Sequence, residues 1–240
     1  MIPKSIAAAR KTAGVGLPSL AISDGTIEGI KWLALVLMVL DHVNKYLLHD
    51  TVPALFAAGR LAMPLFAFVL AFNLARPGVL AGGGGFRVLK RLGLAGAIAA
   101  VPHIALGGLA WGWWPFNIMA MLAVTVGVIQ VVELGGKARF TLAVLLFVLG
   151  GAFVEFWWLG VAIGLAAWRY SQRPSWSALL VWTAALAALF VINRNWWALA
   201  ALPLVFAAPH IRLAVPRLRW FFYAFYPAHL AVLWLLVKFG

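Results

Sequence analysis

The stretch KWLALVLMVLDHVNKYLL at residues 31–48 predicts a long apolar helix. Its long apolar run ends in a polar cluster, which consists of Asp41, His42, Asn44 and Lys45. Apolar residues resume after the cluster, so we expect one helix to continue through it. At a rise of about 1.5 Å per residue, Asp41 lies roughly 20 Å into a hydrocarbon core about 30 Å thick. A charged group there costs at least about 2.5–3.5 kcal/mol, which calls for a functional explanation.

The composition of the whole chain places this stretch in a membrane protein. Of its 240 residues, 65% are hydrophobic and 10% are charged, whereas a soluble domain is about half apolar and about a quarter charged. Too little polar surface remains to coat a globule in water, which excludes a soluble enzyme, a disordered chain and a collagen-like fibre. We therefore expect an all-α, polytopic transmembrane helical bundle, surrounded by membrane lipids.

Apolar runs bounded by charges, proline or glycine predict about nine spans with the N-terminus in the cytoplasm. The runs cover residues 28–48, 53–76, 86–107, 116–134, 140–168, 176–208 and 220–239. The fifth and sixth runs are too long for one helix, and Glu155 and the triplet at residues 193–195 interrupt them. We predict that each is a hairpin, with short helices that are spanning or re-entrant. Residues 1–27 are predicted to form a cytoplasmic or interfacial segment, and residues 28–240 a single transmembrane domain.

The strong positive charge follows from this topology. The chain carries 19 Lys and Arg against 6 Asp and Glu, a net charge of +13, and such an excess raises nucleic acid as a partner. In the nine-span arrangement, however, nearly all of the basic residues lie on the inner side, where they hold cytoplasmic loops in place. The exceptions are Lys45, Arg60, Arg194 and Lys238. We therefore expect no nucleic-acid partner.

Two early spans place ionisable residues in the outer half of the membrane. Asp41 and Lys45 are four residues apart and can pair on one helix face, which is the structural alternative to a functional site. Arg60 lies about two turns below the outer surface, where snorkelling to the headgroups is its alternative. Asp41 has three candidate partners, namely Lys45, Arg60 and His229.

The later spans add further candidates at a similar depth. His229 lies near mid-membrane, with Tyr226 three residues before it on the same helix face. His103, near the outer end of its span, and Glu155, at an outer turn, are weaker candidates. Buried ionisable groups at one depth are easier to satisfy as one network than separately, so we predict a shared site.

The residue types in this predicted site favour acid–base chemistry. Imidazole has an unperturbed pKa suited to proton transfer near neutrality, and a nearby arginine can stabilise a developing oxyanion. The chain has no cysteine, and its serines fall on the inner side, which argues against a covalent acyl-enzyme. Direct transfer with a histidine as base fits better. The carboxylates are too scattered for a metal site, and no internal repeat supports the alternative of a proton-linked transporter.

Three segments together resemble the TraX family of conjugation proteins. They are KWLALVLMVLDHVNKYLL at residues 31–48, AGRLAMPLFAFVLAFNLAR at 58–76 and FYAFYPAHLAVL at 222–233. The resemblance implies a multi-pass protein of the bacterial inner membrane that N-acetylates the pilin subunit of a conjugative pilus, with acetyl-CoA as co-substrate. A non-catalytic pilin maturation or assembly factor, and another processing step such as cyclisation, are the alternatives.

The resemblance carries expected roles over to residues of the three segments, and the reasoning from depth and charge adds the candidates between them. The catalytic candidates are Asp41, His42, Arg60 and His229, without an assignment of which histidine is the base. The candidates for binding the pilin are Asn44, Lys45, Tyr226, His103 and Glu155. Basic residues on the inner side are candidates for holding the phosphates of acetyl-CoA by charge, with positive-inside anchoring as the alternative. They are Arg87, Lys90 and Arg91, together with Arg169, Arg173, Arg217 and Arg219.

Overall fold

The computed structural model describes residues 17, 20–108 and 110–240, so most of the predicted segment 1–27 lies outside the described residues. Within them the chain is helical, apart from loops and an isolated bridge between Phe116 and Val154. The helices are α1 (Asp24–Tyr46), α2 (Pro53–Gly59), α3 (Ala62–Leu74), α4 (Gly84–Ala105), α5 (Ile118–Leu134), α6 (Lys137–Leu145), α7 (Gly151–Phe153), α8 (Trp157–Gln172), α9 (Trp176–Ala188), α10 (Phe190–Asn193), α11 (Ala201–Ala207) and α12 (Phe221–Phe239). A π-helical turn, Leu146–Gly150, joins α6 to α7, and short 3₁₀ turns flank α11. The predicted all-α class is confirmed for the described residues.

Four helical stretches of the described residues are long and apolar enough to cross a membrane, which supports a membrane protein. They are Pro53–Leu74, Gly84–Ala105, Trp176–Asn193 and Phe221–Phe239. Helix α1 has 23 residues, a length of about 34 Å, but it carries the polar cluster of the opening stretch. The count of nine spans and the cytoplasmic N-terminus stay predictions.

Both long apolar runs divide where polar residues interrupt them. The first ends its helical part at Phe153 and resumes at Trp157, with Glu155 in the turn between α7 and α8. The second ends α10 at Asn193 and resumes in the 3₁₀ turn Trp197–Ala200. Side-chain caps start several helices: the Ser23 hydroxyl accepts from the Thr26 N–H, and the Asn117 carbonyl accepts from the Met119 N–H. Such caps satisfy N–H groups that have no partner inside the helix.

The second predicted span is broken between α2 and α3, which the apolar run does not reveal. Arg60 and Leu61 separate the two helices. Pro64 follows in the first turn of α3, where its missing N–H leaves the Arg60 carbonyl without the usual helical donor. Arg60 and Leu61 keep helical backbone angles and donate to the Ala57 and Ala58 carbonyls, so the break is one tighter turn with Arg60 at the level of the polar cluster.

The central helix of the bundle is α3, and it brings the helices of the site together. Its Leu65, Phe68 and Ala71 are fully buried, and the helix packs against α1 on one side and α8 on the other. A smaller cluster of buried apolar residues joins α1, α3, α4 and α12, and includes Leu35, Met38, Ala62, Ala99, Tyr226 and Leu230. These four helices, with the start of α5, enclose the cavity described next.

Candidate functional site

A cavity of about 420 Å³ lies between α1, α3, α4, α5 and α12. This is a usual volume for a small-molecule site. Asp41, His42, Arg60 and Glu155 line one end of it. We call the group formed by Asp41, His42, Arg60 and His229 the polar centre. The sequence predicted these four residues as the catalytic candidates, and the structure brings them together from α1, the α2–α3 break and α12.

Asp41 pairs with Arg60. The Asp41 Oδ1 accepts a hydrogen bond of 2.5 Å from Arg60 Nη2, and both side chains are less than one-fifth exposed. Arg60 also donates from Nε to the Phe56 carbonyl at 3.3 Å and from Nη1 to Asn193 Oδ1 at 3.4 Å. Lys45 instead lies over the Tyr46 ring, 4.9 Å from its centroid. Asp41 therefore pairs with Arg60 across the contact between α1 and α2, and the alternative pairing with Lys45 on its own helix is wrong.

Gly59 allows this close approach of α2 to α1. A Cβ atom added at Gly59 would overlap the Cβ, Cγ and Oδ1 atoms of Asp41. The Gly-Arg pair at residues 59–60 therefore has two tasks: the glycine makes room for the Asp41 side chain, and the arginine binds it. The sequence offered this glycine as part of a motif but not its packing role.

The two histidines of the polar centre form a hydrogen-bonded pair. His42 Nδ1 lies 2.7 Å from His229 Nε2, with the rings nearly parallel and their centroids 5.0 Å apart. His229 Nδ1 lies 3.3 Å from the Phe225 carbonyl oxygen, which can only accept. If both imidazoles are neutral, His229 donates a hydrogen bond from Nδ1–H to the Phe225 carbonyl, and its Nε2 accepts a hydrogen bond from His42 Nδ1–H. This leaves the Nε2 of His42 as the free basic nitrogen.

The surroundings of His229 fix its ring. Phe225 stacks on it at 5.3 Å between centroids, and the Tyr226 ring lies at 5.5 Å. His42 lines the cavity together with Phe225 and Tyr226, while His229 lies behind it. The pair thus runs from the Phe225 carbonyl through His229 to His42 and the cavity.

Glu155 reaches the same end of the cavity from the turn between α7 and α8. Its N–H donates to the Phe116 carbonyl at 2.8 Å, and the Phe116 N–H donates to the Phe153 carbonyl at 2.7 Å. Burial raises the pKa of the Glu155 carboxyl to about 7, although the nearby cations of Lys45 and Arg60 act to lower it. Glu155 was a weaker candidate in the sequence, and the structure places it on the cavity wall.

Three predicted substrate-binding residues, Asn44, His103 and Lys45, do not line the cavity, and Lys45 lies over the Tyr46 ring instead. Asn44 is fully buried; its side chain accepts from the Val52 N–H at 3.0 Å and contacts Asp50, which holds the loop between α1 and α2. His103 is buried beside the Pro115 carbonyl, 3.4 Å from Nε2. The Asn44 and His103 side chains join parts of the chain, so their polarity has a structural explanation.

The far end of the cavity is cationic. Six basic residues line it, and we call them the basic mouth: Lys31, Arg76, Arg87, Arg91, Arg217 and Arg219. Four of the predicted phosphate-binding residues belong to it, namely Arg87, Arg91, Arg217 and Arg219. The other three, Lys90, Arg169 and Arg173, are exposed and do not line the cavity. The structure adds Lys31 and Arg76. The sequence does not single out these two residues, because the positive-inside rule accounts equally well for every basic residue predicted on the inner side.

An extended segment before α12 carries two of these arginines to the mouth. This strap, residues 211–219, lies against the first turns of α1: the Thr26 hydroxyl donates to the Ile211 carbonyl at 2.6 Å. A Cβ atom at Gly25 would overlap the Leu213 backbone. Glu28, which is 3% exposed, contacts Lys31 at 2.6 Å and Arg217 at 3.6 Å. Glu28 was missed by the sequence, where it marked only the start of a span.

Comparisons with known proteins find relatives of this chain. The family model described as "TraX protein" matches residues 26–237. A curated Protein TraX of Escherichia coli is 33% identical over 224 residues, which cover 88% of this chain and 87% of that protein. A second Protein TraX, from Escherichia coli strain K12, is 54% identical over 54 residues, 22% of this chain and 21% of that protein. No solved structure matches the chain.

Proposed function

The chain belongs to the TraX family, and from this premise we propose that it is a membrane acetyltransferase that acetylates the N-terminus of a conjugative pilin with acetyl-CoA. Its place is the bacterial inner membrane, and its protein partner is the pilin subunit. One observation carries the proposal. A hydrogen-bonded imidazole pair opens onto a cavity whose other end is the basic mouth.

The polar centre supplies the groups that acyl transfer needs. The Nε2 of His42 acts as general base, and His229 orients it and shares the proton. Arg60 has five N–H donors, of which three are engaged with Asp41, Phe56 and Asn193. The remaining donors are available to a developing oxyanion. Asp41 holds the guanidinium in position.

These groups would serve the transfer of an acetyl group from a thioester to an amine. The acceptor arrives as an ammonium and releases one proton to solvent before it attacks. The amine nitrogen bonds to the acetyl carbonyl carbon, the C–S bond of the thioester breaks, and the second amine proton passes through His42 to the leaving thiolate. A direct transfer of this kind needs no serine or cysteine nucleophile.

The basic mouth fits the polyanionic part of the donor. Guanidinium groups bind phosphate in a bidentate manner, and Arg87, Arg91 and Arg217 line the mouth from two sides. Lys31 and Asp41 are ten residues apart on α1, so about 15 Å separates the mouth from the polar centre along the helix axis. The cavity joins them, which would let the thioester reach His42 while the phosphates stay at the mouth.

The test uses full-length protein purified in detergent, with acetyl-CoA and a peptide that copies a mature pilin N-terminus. Mass spectrometry is expected to show a gain of one acetyl group on the peptide α-amine. His42→Ala should abolish this gain, whereas His210→Ala, a control at an exposed histidine, should keep it.

A peptide acetylated equally by wild type and His42→Ala would overturn the catalytic assignment. If pilin from cells lacking the protein has the same N-terminal mass as pilin from wild-type cells, and pilus assembly fails, the non-catalytic assembly factor is favoured instead. A mass loss of one water in pilin from wild-type cells would point to cyclisation.

A further inference from the structure

Glu155 is the acid on the cavity wall that has no ion pair among the described residues. Among the described residues that line the cavity, Asp41 and Glu155 are the two acids, and the basic mouth and Arg60 are the cations. Asp41 is neutralised by Arg60. Glu155 has no ion pair among the described residues: its carboxylate is hydrogen-bonded by the Ile118 N–H at the start of α5, and Lys45 and Arg60 act on it without direct contact. A half-buried carboxylate without a counter-ion is costly unless a ligand provides one.

The backbone holds Glu155 in position independently of its side chain. Phe116 is hydrogen-bonded on both sides, to Phe153 and to Glu155 itself. The two residues that follow, Phe156 and Trp157, have φ values of 60° and 48°. Non-glycine residues rarely adopt this left-handed region, and such backbone strain concentrates at functional sites. The turn therefore presents the carboxylate to the cavity and leaves it free for a ligand.

The position of Glu155 places a ligand beside the histidine pair. Glu155 interacts electrostatically with Tyr46 of α1 and Tyr226 of α12, as well as with Asp41, Lys45 and Arg60. The Tyr226 ring lies 5.5 Å from the His229 ring. A cation bound by Glu155 therefore lies at the end of the cavity where the polar centre is, and far from the basic mouth.

We propose that Glu155 is the residue that recognises the acceptor, by binding the α-ammonium group of a peptide N-terminus. This inference rests on the proposed function, and it deepens it by naming how the acceptor is selected. A carboxylate binds an ammonium through a charge-assisted hydrogen bond, whereas a hydroxyl acceptor or an already acetylated N-terminus brings no cation. Glu155 thus selects amines over alcohols and unmodified peptides over product.

The test measures peptide binding without the donor. Full-length protein in nanodiscs is titrated with a fluorescent pilin N-terminal peptide in two forms, with a free and with an acetylated α-amine. Wild type is expected to prefer the free amine by about tenfold to a hundredfold, the usual effect of one charge-assisted hydrogen bond. Glu155→Gln should remove the preference, and Glu155→Asp, which keeps the charge, should retain part of it.

Two matched variants separate this inference from the proposed function. Glu133→Gln removes an exposed carboxylate away from the cavity and should keep the preference. His42→Ala should bind the free amine normally while it fails to acetylate it. Preference for the free amine in Glu155→Gln, or no preference in wild type, would overturn the role of Glu155. A preference that depends on Glu155 in a protein that never acetylates the peptide would keep this inference and refute the acetyltransferase.

Discussion

Replacement of Gly59 by alanine tests whether the close approach of α2 to α1 builds the polar centre. The added Cβ overlaps Asp41, and normal carbon–carbon contact requires the two helices to separate by about 1 Å. Overpacking of this kind costs about 1–3 kcal/mol. Alanine in place of glycine also favours the helix by roughly 0.5–1 kcal/mol, so the contact must be separated from this gain.

Gly93 is the matched control for the substitution. It lies within α4, and a Cβ there meets no heavy atom within 4 Å. Gly93→Ala should therefore show the helical gain alone, and Gly59→Ala should be about 1–3 kcal/mol less stable than Gly93→Ala. At about 2–4 °C per kcal/mol for a chain of this size, the two melting temperatures should differ by roughly 2–12 °C. Thermal unfolding in detergent, followed by the fluorescence of the 13 tryptophans, measures this difference.

The same substitution should also separate Asp41 from Arg60. A misplacement of about 1 Å in a catalytic group can cost roughly a hundredfold in rate, so acetylation of the pilin peptide should fall by that order in Gly59→Ala. Gly93→Ala should keep the wild-type rate. The reasoning is refuted if both variants unfold at the same temperature and acetylate equally well.

Three further predictions concern the remaining parts of the site. His42→Ala should lower the acetylation rate by about 10²–10⁴-fold. His229→Ala should lower it less, because His42 keeps its free nitrogen. Equal losses in a rate assay would contradict the assignment of His42 as the base and His229 as its partner. Arg217→Ala should raise the KM for acetyl-CoA by roughly tenfold. Glu28→Gln should raise it to a smaller extent, because Glu28 positions Arg217. An unchanged KM in both variants would show that the strap does not bind the donor. The affinity for the free-amine peptide should rise with pH through about 7, because the raised pKa of Glu155 keeps its carboxyl neutral below that value. The affinity should fall again near about pH 8, where the peptide amine loses its charge. Binding titrations of Glu155→Gln should lack the rise, and a rise that persists in this variant would have to come from another group.

Much of the architecture is predictable from hydropathy and polar interruptions. The breaks near Glu155 and at residues 193–195 occur where polar residues divide long apolar runs, and the structure has turns at both places. The break between α2 and α3 was not predicted, because in the sequence Arg60, four residues before Pro64, cannot be distinguished from an arginine that snorkels out of an unbroken span. The candidates Asn44 and His103 were selected for their polarity, yet both serve loop contacts inside the protein.

Composition and position along the chain were enough to predict the helical membrane class and the depth of the polar cluster. The sequence also provided Asp41, His42, Arg60 and His229 as candidates, since charge inside an apolar run is visible without a fold. Only the tertiary structure decided their partners. His42 and His229 are 187 residues apart, and the side of each helix that faces its neighbour depends on packing across the whole bundle. The same packing brings the residues of the basic mouth to one cavity. Charge along the chain, by contrast, predicts only the side of the membrane on which each residue lies.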